Sequence, residues 1–368
     1  MWNGYRLMMD KDADNLVEEF VFDIDPSFLV DCRKLLIGER IGEGSHSTVY
    51  EGLFEMQPVA VKIIEPRTSE ASRDLKENFE REVNLLARIE HENIVKFVGS
   101  TVEPYMMIIT ELMGGGTLQH YLRSISPARL DLDLSISFAL DISRVMEYLH
   151  GHGIIHRDLK PGNILLSEDK KRVKLADFGL AREMVSGEMT CEAGTYRWMA
   201  PELFNREPTP KATKATKFYD HKADIYSFSI VLWTLLTNKI PFRGSYSIIA
   251  AFAMANNQRP SVDELPSDII PLVESCWAAD PRDRPEFVEI TESLTTFFRN
   301  KCKPVIPPSD MIEIDNPRNT MELEESPSAD TEKAESKVDN KSRKLKWSSL
   351  RFLKFFKLCK SCMSRRTQ

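Results

Sequence analysis

The sequence predicts an α+β fold in two lobes, a small β-rich lobe followed by a larger helical one, flanked by a leader and a long tail. Three observations predict it. From Leu35 to about Leu112, short apolar runs alternate at period two and are broken by glycines, the pattern of strands and hairpins. Gly114-Gly115-Gly116 then interrupts the chain like a hinge. Beyond it, Phe138, Ile142, Val145, Met146 and Leu149 recur at helical spacing.

The bulk properties fit that reading. A chain of 368 residues is long enough for one large two-lobed domain with tails, and 42% hydrophobic residues is the share of an ordinary globular protein. A net charge of -7 argues against a general nucleic-acid binder, and no specific nucleic-acid partner is expected. The six cysteines have no disulfide-framework spacing. Only Cys359 and Cys362 form a Cys-x-x-Cys, with no second pair to complete a zinc site. Reduced thiols and a soluble, cytoplasmic protein are expected, with peripheral attachment to a membrane left open. Trp2 stands where myristoylation needs glycine, and the apolar run Ile225 to Leu236 is too short to span a bilayer.

Residues 1–34 form an acidic leader, with Asp10, Asp12, Asp14, Glu18, Glu19, Asp23, Asp25 and Asp31. Phe20, Phe22, Phe28 and Leu29 are interspersed, and these apolar groups could dock on the next lobe. The strand pattern then opens with Ile41-Gly42-Glu43-Gly44-Ser45-His46-Ser47-Thr48-Val49-Tyr50. A glycine-rich turn lets backbone N–H groups approach phosphate oxygens, although a lone Gly-x-Gly marks an ordinary hairpin equally well. Val59-Ala60-Val61-Lys62 follows, a strand with one lysine in an apolar run. A buried ammonium needs a partner, and Glu82, in a helical pattern from about Ser69 to Ile89, can supply it.

His91 to Leu112 reads as two more strands. Thr110 would face the back of a pocket at the lobe boundary, and Glu111 and Met113 would offer backbone groups to an adenine ring. Without the flanking motifs, the same stretch is simply a buried strand. Gly151 and Gly153 stop the next helix just before His156-Arg157-Asp158-Leu159-Lys160-Pro161-Gly162-Asn163, and Asp177-Phe178-Gly179 follows a short hairpin. Asp158 can accept the proton of an attacking hydroxyl, Asn163 and Asp177 offer oxygen ligands to Mg²⁺, and Lys160 can neutralise charge on a transferred phosphate. A His-Arg-Asp triplet alone would mean little. Two signals in this order and separation point to phosphoryl transfer.

After a polar loop with Ser186, Thr190 and Cys191 comes Gly194-Thr195-Tyr196-Arg197-Trp198-Met199-Ala200-Pro201-Glu202. A Lys/Thr-rich insertion from about Asn205 to His221 leads to Asp224 and a buried helix. Cys276-Trp277-Ala278-Ala279-Asp280-Pro281-Arg282-Asp283-Arg284-Pro285 heads the last helical region, which closes near Phe298.

On these motifs, residues 35–299 resemble a complete eukaryotic protein kinase domain with its bilobal fold. The Gly194–Glu202 and Cys276–Pro285 segments are similar to the tyrosine-kinase-like branch, and within it to plant Raf-like, MAP kinase kinase kinase-like Ser/Thr kinases. The resemblance implies an ATP- and Mg²⁺-dependent enzyme of signal transduction, with Mn²⁺ as an alternative metal and protein hydroxyls as acceptors. Ile41 to Ser47, Val49, Ala60, Lys62, Thr110, Glu111, Met113 and Leu165 would line the nucleotide site. Lys62 would hold the α- and β-phosphates and pair with Glu82, while Asn163 and Asp177 bind the metal. Glu202 would brace the substrate platform through Arg284, and Asp224 would anchor the catalytic-loop backbone. Leu86, Phe97, His156 and Phe178 would stack as a hydrophobic spine, which makes His156 structural.

Two positions depart from the family pattern. Ser47 replaces the third glycine of the loop, and Gly162 replaces the usual acidic residue before Asn163. Neither removes a required chemical group, so activity is expected. Lys160, with Thr195 beside it, argues for Ser/Thr substrates, and dual specificity for tyrosine stays open. Arg157 would receive a phosphate on the activation loop, at Thr190 first and Ser186 second, or would only pair with a carboxylate. The competing reading of the whole chain is an inactive kinase-fold scaffold that recruits partners through its tail.

Residues 300–340, rich in Pro, Ser, Glu and Asp, read as a disordered linker. From Lys341 to Gln368 the charge inverts, with no acidic residue and with Leu345, Trp347, Leu350, Phe352, Leu353, Phe355, Phe356 and Leu358 between the basic ones. Three readings compete for this tail: a basic amphipathic helix on anionic lipid with Cys359 and Cys362 palmitoylated, a calmodulin-binding helix, or a solvated extension. Nuclear import through the basic cluster is not excluded.

Overall fold

The computed structural model describes residues 20–44, 46–64, 72–183, 195–203 and 221–302, all within one compact unit. Residues 1–19, Ser45, Ser186, Thr190, Cys191, the 205–220 insertion, the tail from 303 onward and the side chain of Thr195 lie outside the described residues.

The first lobe is a five-stranded antiparallel sheet made of β1 (Leu35–Glu43), β2 (Ser47–Phe54), β3 (Gln57–Ile64), β4 (Phe97–Thr101) and β5 (Met107–Glu111). Helix α1 (Ser72–Leu86) lies between β3 and β4 in sequence, and the strand order is β1-β2-β3-β5-β4. Glu55 and Met56 make the tight β2–β3 turn, both at positive φ (48° and 67°), as a two-residue hairpin matched to strand twist requires. Register then sorts the side chains. Val49 pairs with Lys62, Lys62 with Ile108, and Ala60 with Thr110, so these residues share one face of the sheet. Val59, Val61, Ile63, Met107 and Ile109 point the other way and form a separate small core with Leu35.

Beyond the hinge, α2 (Leu118–Ile125) begins at Thr117, whose hydroxyl accepts the N–H of His120. Helix α3 (Leu132–Gly151) carries the expected periodicity. Two short antiparallel pairs follow: β6 (Ile154–Ile155) pairs with β9 (Arg182–Glu183), and β7 (Ile164–Leu166) pairs with β8 (Val173–Leu175). Helix α4 (Lys222–Thr237) is buried along its whole length from Ala223, the signature of a helix that is apolar on every side. It ends at Asn238 in the left-handed conformation (φ 49°), whose N–H donates to the Thr234 carbonyl. Helices α5 (Ser247–Ala255), α6 (Ile270–Cys276) and α7 (Phe287–Lys301) complete the lobe. A reciprocal Glu286/Glu289 box caps α7. No described helix is long and apolar enough to cross a membrane.

The described part of the leader is built into the first lobe. Phe22 meets Phe79 of α1 edge-on at 5.8 Å, Phe28 meets Phe97 of β4 at 6.2 Å, and Ile24 is buried.

Candidate active site

Strand β3 presents Lys62 toward α1 and toward the segment that follows β8. Its ammonium lies 2.8 and 3.0 Å from the Glu82 carboxylate oxygens and 2.8 Å from Asp177 Oδ1. Burial disfavours charge on Lys62, but the two carboxylates outweigh it and raise the lysine's pKa. Lys62 in turn is the main reason that Asp177 is held down to about 2. Glu82, 5% exposed, is pushed up chiefly by burial, against the pull of Lys62. The lysine is therefore a fixed cation between two acids. Gly179 passes so close that an added Cβ would sit 3.3 Å from Glu82 Oε2 and from Asp177 Oδ1, and 3.7 Å from Lys62 Nζ.

The catalytic loop hangs between β6 and β7. Asp224, at the start of α4, holds its backbone: Oδ2 accepts the N–H of His156 (2.8 Å) and Oδ1 that of Arg157 (2.9 Å). Arg157 sits at φ 72°, a conformation that a side-chain-bearing residue keeps only when its surroundings enforce it. Within the loop, Asp158 Oδ2 lies 2.6 Å from Lys160 Nζ and accepts the Asn163 amide at 2.8 Å. The same amide donates to the Asp158 carbonyl at 2.9 Å. Burial raises the pKa of Asp158, and Lys160 works against that shift. His156 is fully buried, its Nδ1 accepts the Asp158 N–H at 3.3 Å, and its ring meets Phe178 edge-on at 5.2 Å. No substrate can reach it. Leu86, Phe97 and Phe178 belong to the same apolar core.

At the hinge, Gly115 and Gly116 bond to Leu166 and so tie the linker to β7 (N···O 3.1 and 2.8 Å). The Met113 carbonyl accepts from Gly116, but its N–H has no acceptor among the described residues. Leu165 bridges to Thr117 on this wall. Across the cleft, Gly44 N–H donates to the Ser47 carbonyl at 2.8 Å and closes the tip of the glycine-rich turn. Ile41 and His46 are exposed there. The arrangement offers a backbone donor at the hinge, a fixed cation, a buried carboxylate and two further oxygen donors. A nucleotide triphosphate with a hydroxyl acceptor fits that set.

Residues 35–294 match the family of protein tyrosine and serine/threonine kinases. This chain belongs to that family. The kinase is 42% identical over 276 residues to the serine/threonine/tyrosine-protein kinase HT1 of Arabidopsis thaliana, covering 73% of this chain and 67% of that one. It is 38% identical to the serine/threonine-protein kinase STY46 of the same plant, over 72% of this chain and 44% of that protein. With a mitogen-activated protein kinase kinase kinase of Drosophila melanogaster it shares 31% identity, over 77% of this chain and 24% of the relative. The domain is that of an ATP-dependent protein Ser/Thr kinase, and the Raf-like resemblance agrees with these relatives. The family uses ATP with a divalent metal and acts on proteins. The inactive-scaffold reading is not favoured.

Nothing steric demands glycine at 162. A Cβ there would lie 3.5 Å from Gln119 Oε1 and 3.7 Å from Lys160 Cε, ordinary contacts. The sequence reading missed two groups. His150 Nε2 lies 3.1 Å from Asp224 Oδ2 and supports the anchor of the catalytic loop. Lys174 Nζ reaches Glu111 Oε1 at 2.6 Å, and the same oxygen accepts the Lys96 N–H at 2.7 Å, so the Glu111 side chain ties the hinge to both lobes. Neither pair has a local signal, since each joins residues more than sixty positions apart.

Proposed function

We propose that this kinase transfers the γ-phosphate of Mg-ATP in line to serine and threonine hydroxyls of proteins, with tyrosine as a further acceptor. The observation that carries the reading is the spatial convergence of two charge clusters, Lys62 between Glu82 and Asp177, and Asp158 between Lys160 and Asn163. In this reading Lys62, held by Glu82, clamps the α- and β-phosphates. Asp158 orients the acceptor hydroxyl and takes its proton, and Lys160 offsets charge on the phosphoryl group in transit. The adenine edge meets the free N–H of Met113 and backbone groups of Glu111, with Val49, Ala60 and Thr110 on the sheet face above.

The metal assignment rests on the donor set. The Asp177 side chain is 47% exposed, and the Asn163 Oδ1 has no partner among the described residues. No group of three or more His, Cys, Asp or Glu among the described residues could cage an ion. One carboxylate plus one amide, completed by substrate phosphates and water, suits Mg²⁺, which keeps much of its hydration. Bound there, the ion would neutralise phosphate charge.

Ser/Thr preference is supported by Lys160 on the base and by the names of the relatives, one of which adds tyrosine. Arg157 is assigned to a phosphate on Thr190, or on Ser186, and full activity of Thr190→Ala would remove that assignment. The tail from Lys341 is assigned to an anionic membrane surface on its charge pattern alone. A chain ending at Asn340 that partitions like the full chain would remove it.

The test is transfer of labelled γ-phosphate to a generic protein substrate by the purified full chain and by Asp158→Asn, with Mg²⁺ and Mn²⁺ tried separately. Label on serine and threonine, reduced about 10²- to 10⁴-fold by the substitution, is the expected result. Neither transfer nor ATP binding under either metal would overturn it, whereas ATP binding without transfer would point to a missing activator.

A further inference from the structure

Residues 20–30 run as a strap from the edge of the sheet to the outer side of α1. One end is fixed on β4, the edge strand. Val30 N–H donates to the Ser100 carbonyl at 2.9 Å, and the Ser100 hydroxyl donates to the Phe28 carbonyl at 3.2 Å. Val30 lies so close to the strand that a Cβ on Gly99 would come within 2.3 Å of Val30 Cγ1, so only glycine admits it. The other end grips α1. Phe22 packs on Phe79, Phe20 packs on Phe22 at 5.0 Å, and Lys76 Nζ lies over the Phe20 ring at 5.6 Å. Asp23 is clamped through its backbone. Its N–H donates to Glu80 Oε2 at 2.9 Å, and its carbonyl accepts the Asn84 amide at 2.8 Å.

Helix geometry sets what this grip can do. At 3.6 residues per turn, Lys76, Glu80 and Asn84 form one stripe. Glu82, two residues from Glu80, projects on nearly the opposite side of the helix, where it meets Lys62. An ion pair on one side alone leaves the helix free to roll or slide away, because a buried pair gives back much of its attraction in lost hydration. A strap that holds the far stripe through Glu80 and Asn84, with Phe22 lodged against Phe79 on the flank between the two sides, opposes that movement and refers α1 to the same sheet that carries Lys62.

We propose that residues 20–30 are a positioning strap, in which Phe22 and the Asp23 backbone, acting through Phe79, Glu80 and Asn84, hold Glu82 on Lys62. The strap thereby sets the fraction of kinase molecules whose phosphate clamp is closed. The inference rests on the proposed role of the Lys62–Glu82 pair.

The test is a double-substitution cycle on the full chain, with phosphate transfer measured at a temperature where circular dichroism shows every variant folded. Phe22→Ala should lower kcat about tenfold, Phe22→Leu should recover most of it, and Val21→Ala, at a position 84% exposed, should leave it unchanged. Glu80→Ala, which removes only the acceptor of the Asp23 N–H, should lower kcat in the same sense and guards against a Phe22→Ala chain that fails to fold. In a Glu82→Gln background, where the clamp is already broken, Phe22→Ala should cost less than about twofold. A merely structural role would cost the same factor in both backgrounds, and that result, or unchanged kcat in both Phe22→Ala and Glu80→Ala, would overturn the strap. An unimpaired Glu82→Gln enzyme would instead overturn the role of the ion pair.

Discussion

Arg284 closes two hydrogen bonds on Glu202, at 2.7 and 2.9 Å, from 82 positions further along the chain, with its side chain fully buried. The same guanidinium donates to the Ala278 and Lys222 carbonyls and lies 5.1 Å from the Tyr226 ring centre. It welds the 195–203 stretch to α4 and to the approach to α7.

Breaking that pair from the acidic side leaves a buried cation without its counter-charge. Glu202→Ala should cost about 3 kcal/mol, because an uncompensated buried charge is far worse than no charge. Urea unfolding followed by tryptophan fluorescence would measure it, and a loss below about 1 kcal/mol would contradict the buried-pair account.

Asp224 should matter for rate as well as stability. The hydrogen bonds it receives, led by that from His150, keep its pKa low in spite of full burial, so it stays an anion accepting the His156 and Arg157 N–H groups. Asparagine there would turn a donor toward a donor. Asp224→Asn is expected to cost about 1–3 kcal/mol and to lower kcat through the loosened loop, with ATP affinity retained. Nucleotide titration beside steady-state kinetics separates the two effects.

Asp158, the base in the proposed transfer, has a legible pH signature. Burial raises the Asp158 pKa, so the acid-side fall in transfer should lie at a higher pH than an ordinary aspartate would give. The Lys160 ammonium favours the carboxylate form, and removing it must raise that pKa further. Lys160→Met should therefore move the acid limb of kcat/KM to higher pH, whatever it does to the plateau. A limb that stays put or moves down would show that Asp158 is not the titrating base.

Gly162 should accept a side chain. Its φ is not in the left-handed region and a Cβ meets only ordinary contacts, so Gly162→Ala should stabilise the chain by about 0.4–1 kcal/mol through loss of unfolded-state freedom. Calorimetry would read it as a raised melting temperature. Destabilisation would mean that the turn before Asn163 needs glycine after all.

Much of the site was legible because its groups are recorded in local patterns. The lysine in an apolar strand, the glycine-rich turn and the Asp158/Asn163/Asp177 spacing each stand within a few residues of a recognisable element. The strap was only half legible. Phe20, Phe22 and Phe28 stood out as apolar groups in an acidic stretch, but nothing near them named Phe79, Glu80 or Phe97 as their partners. His150 and Lys174 carried no signal, since a histidine near a helix end and a lysine in a hairpin are ordinary in themselves.

The sequence by itself determined the order of strands and helices, the buried faces and the chemical groups offered to the cleft. Periodicity reports which side of an element avoids water, and that is a local property. Only the tertiary structure decided who meets whom: Lys62 with Asp177 across 115 positions, Asp224 with the catalytic loop across 67, and Asp23 with Glu80 across 57. Those meetings depend on atoms approaching within about 3 Å. Such approaches are set by the packing of the whole core, which no short stretch of the chain contains.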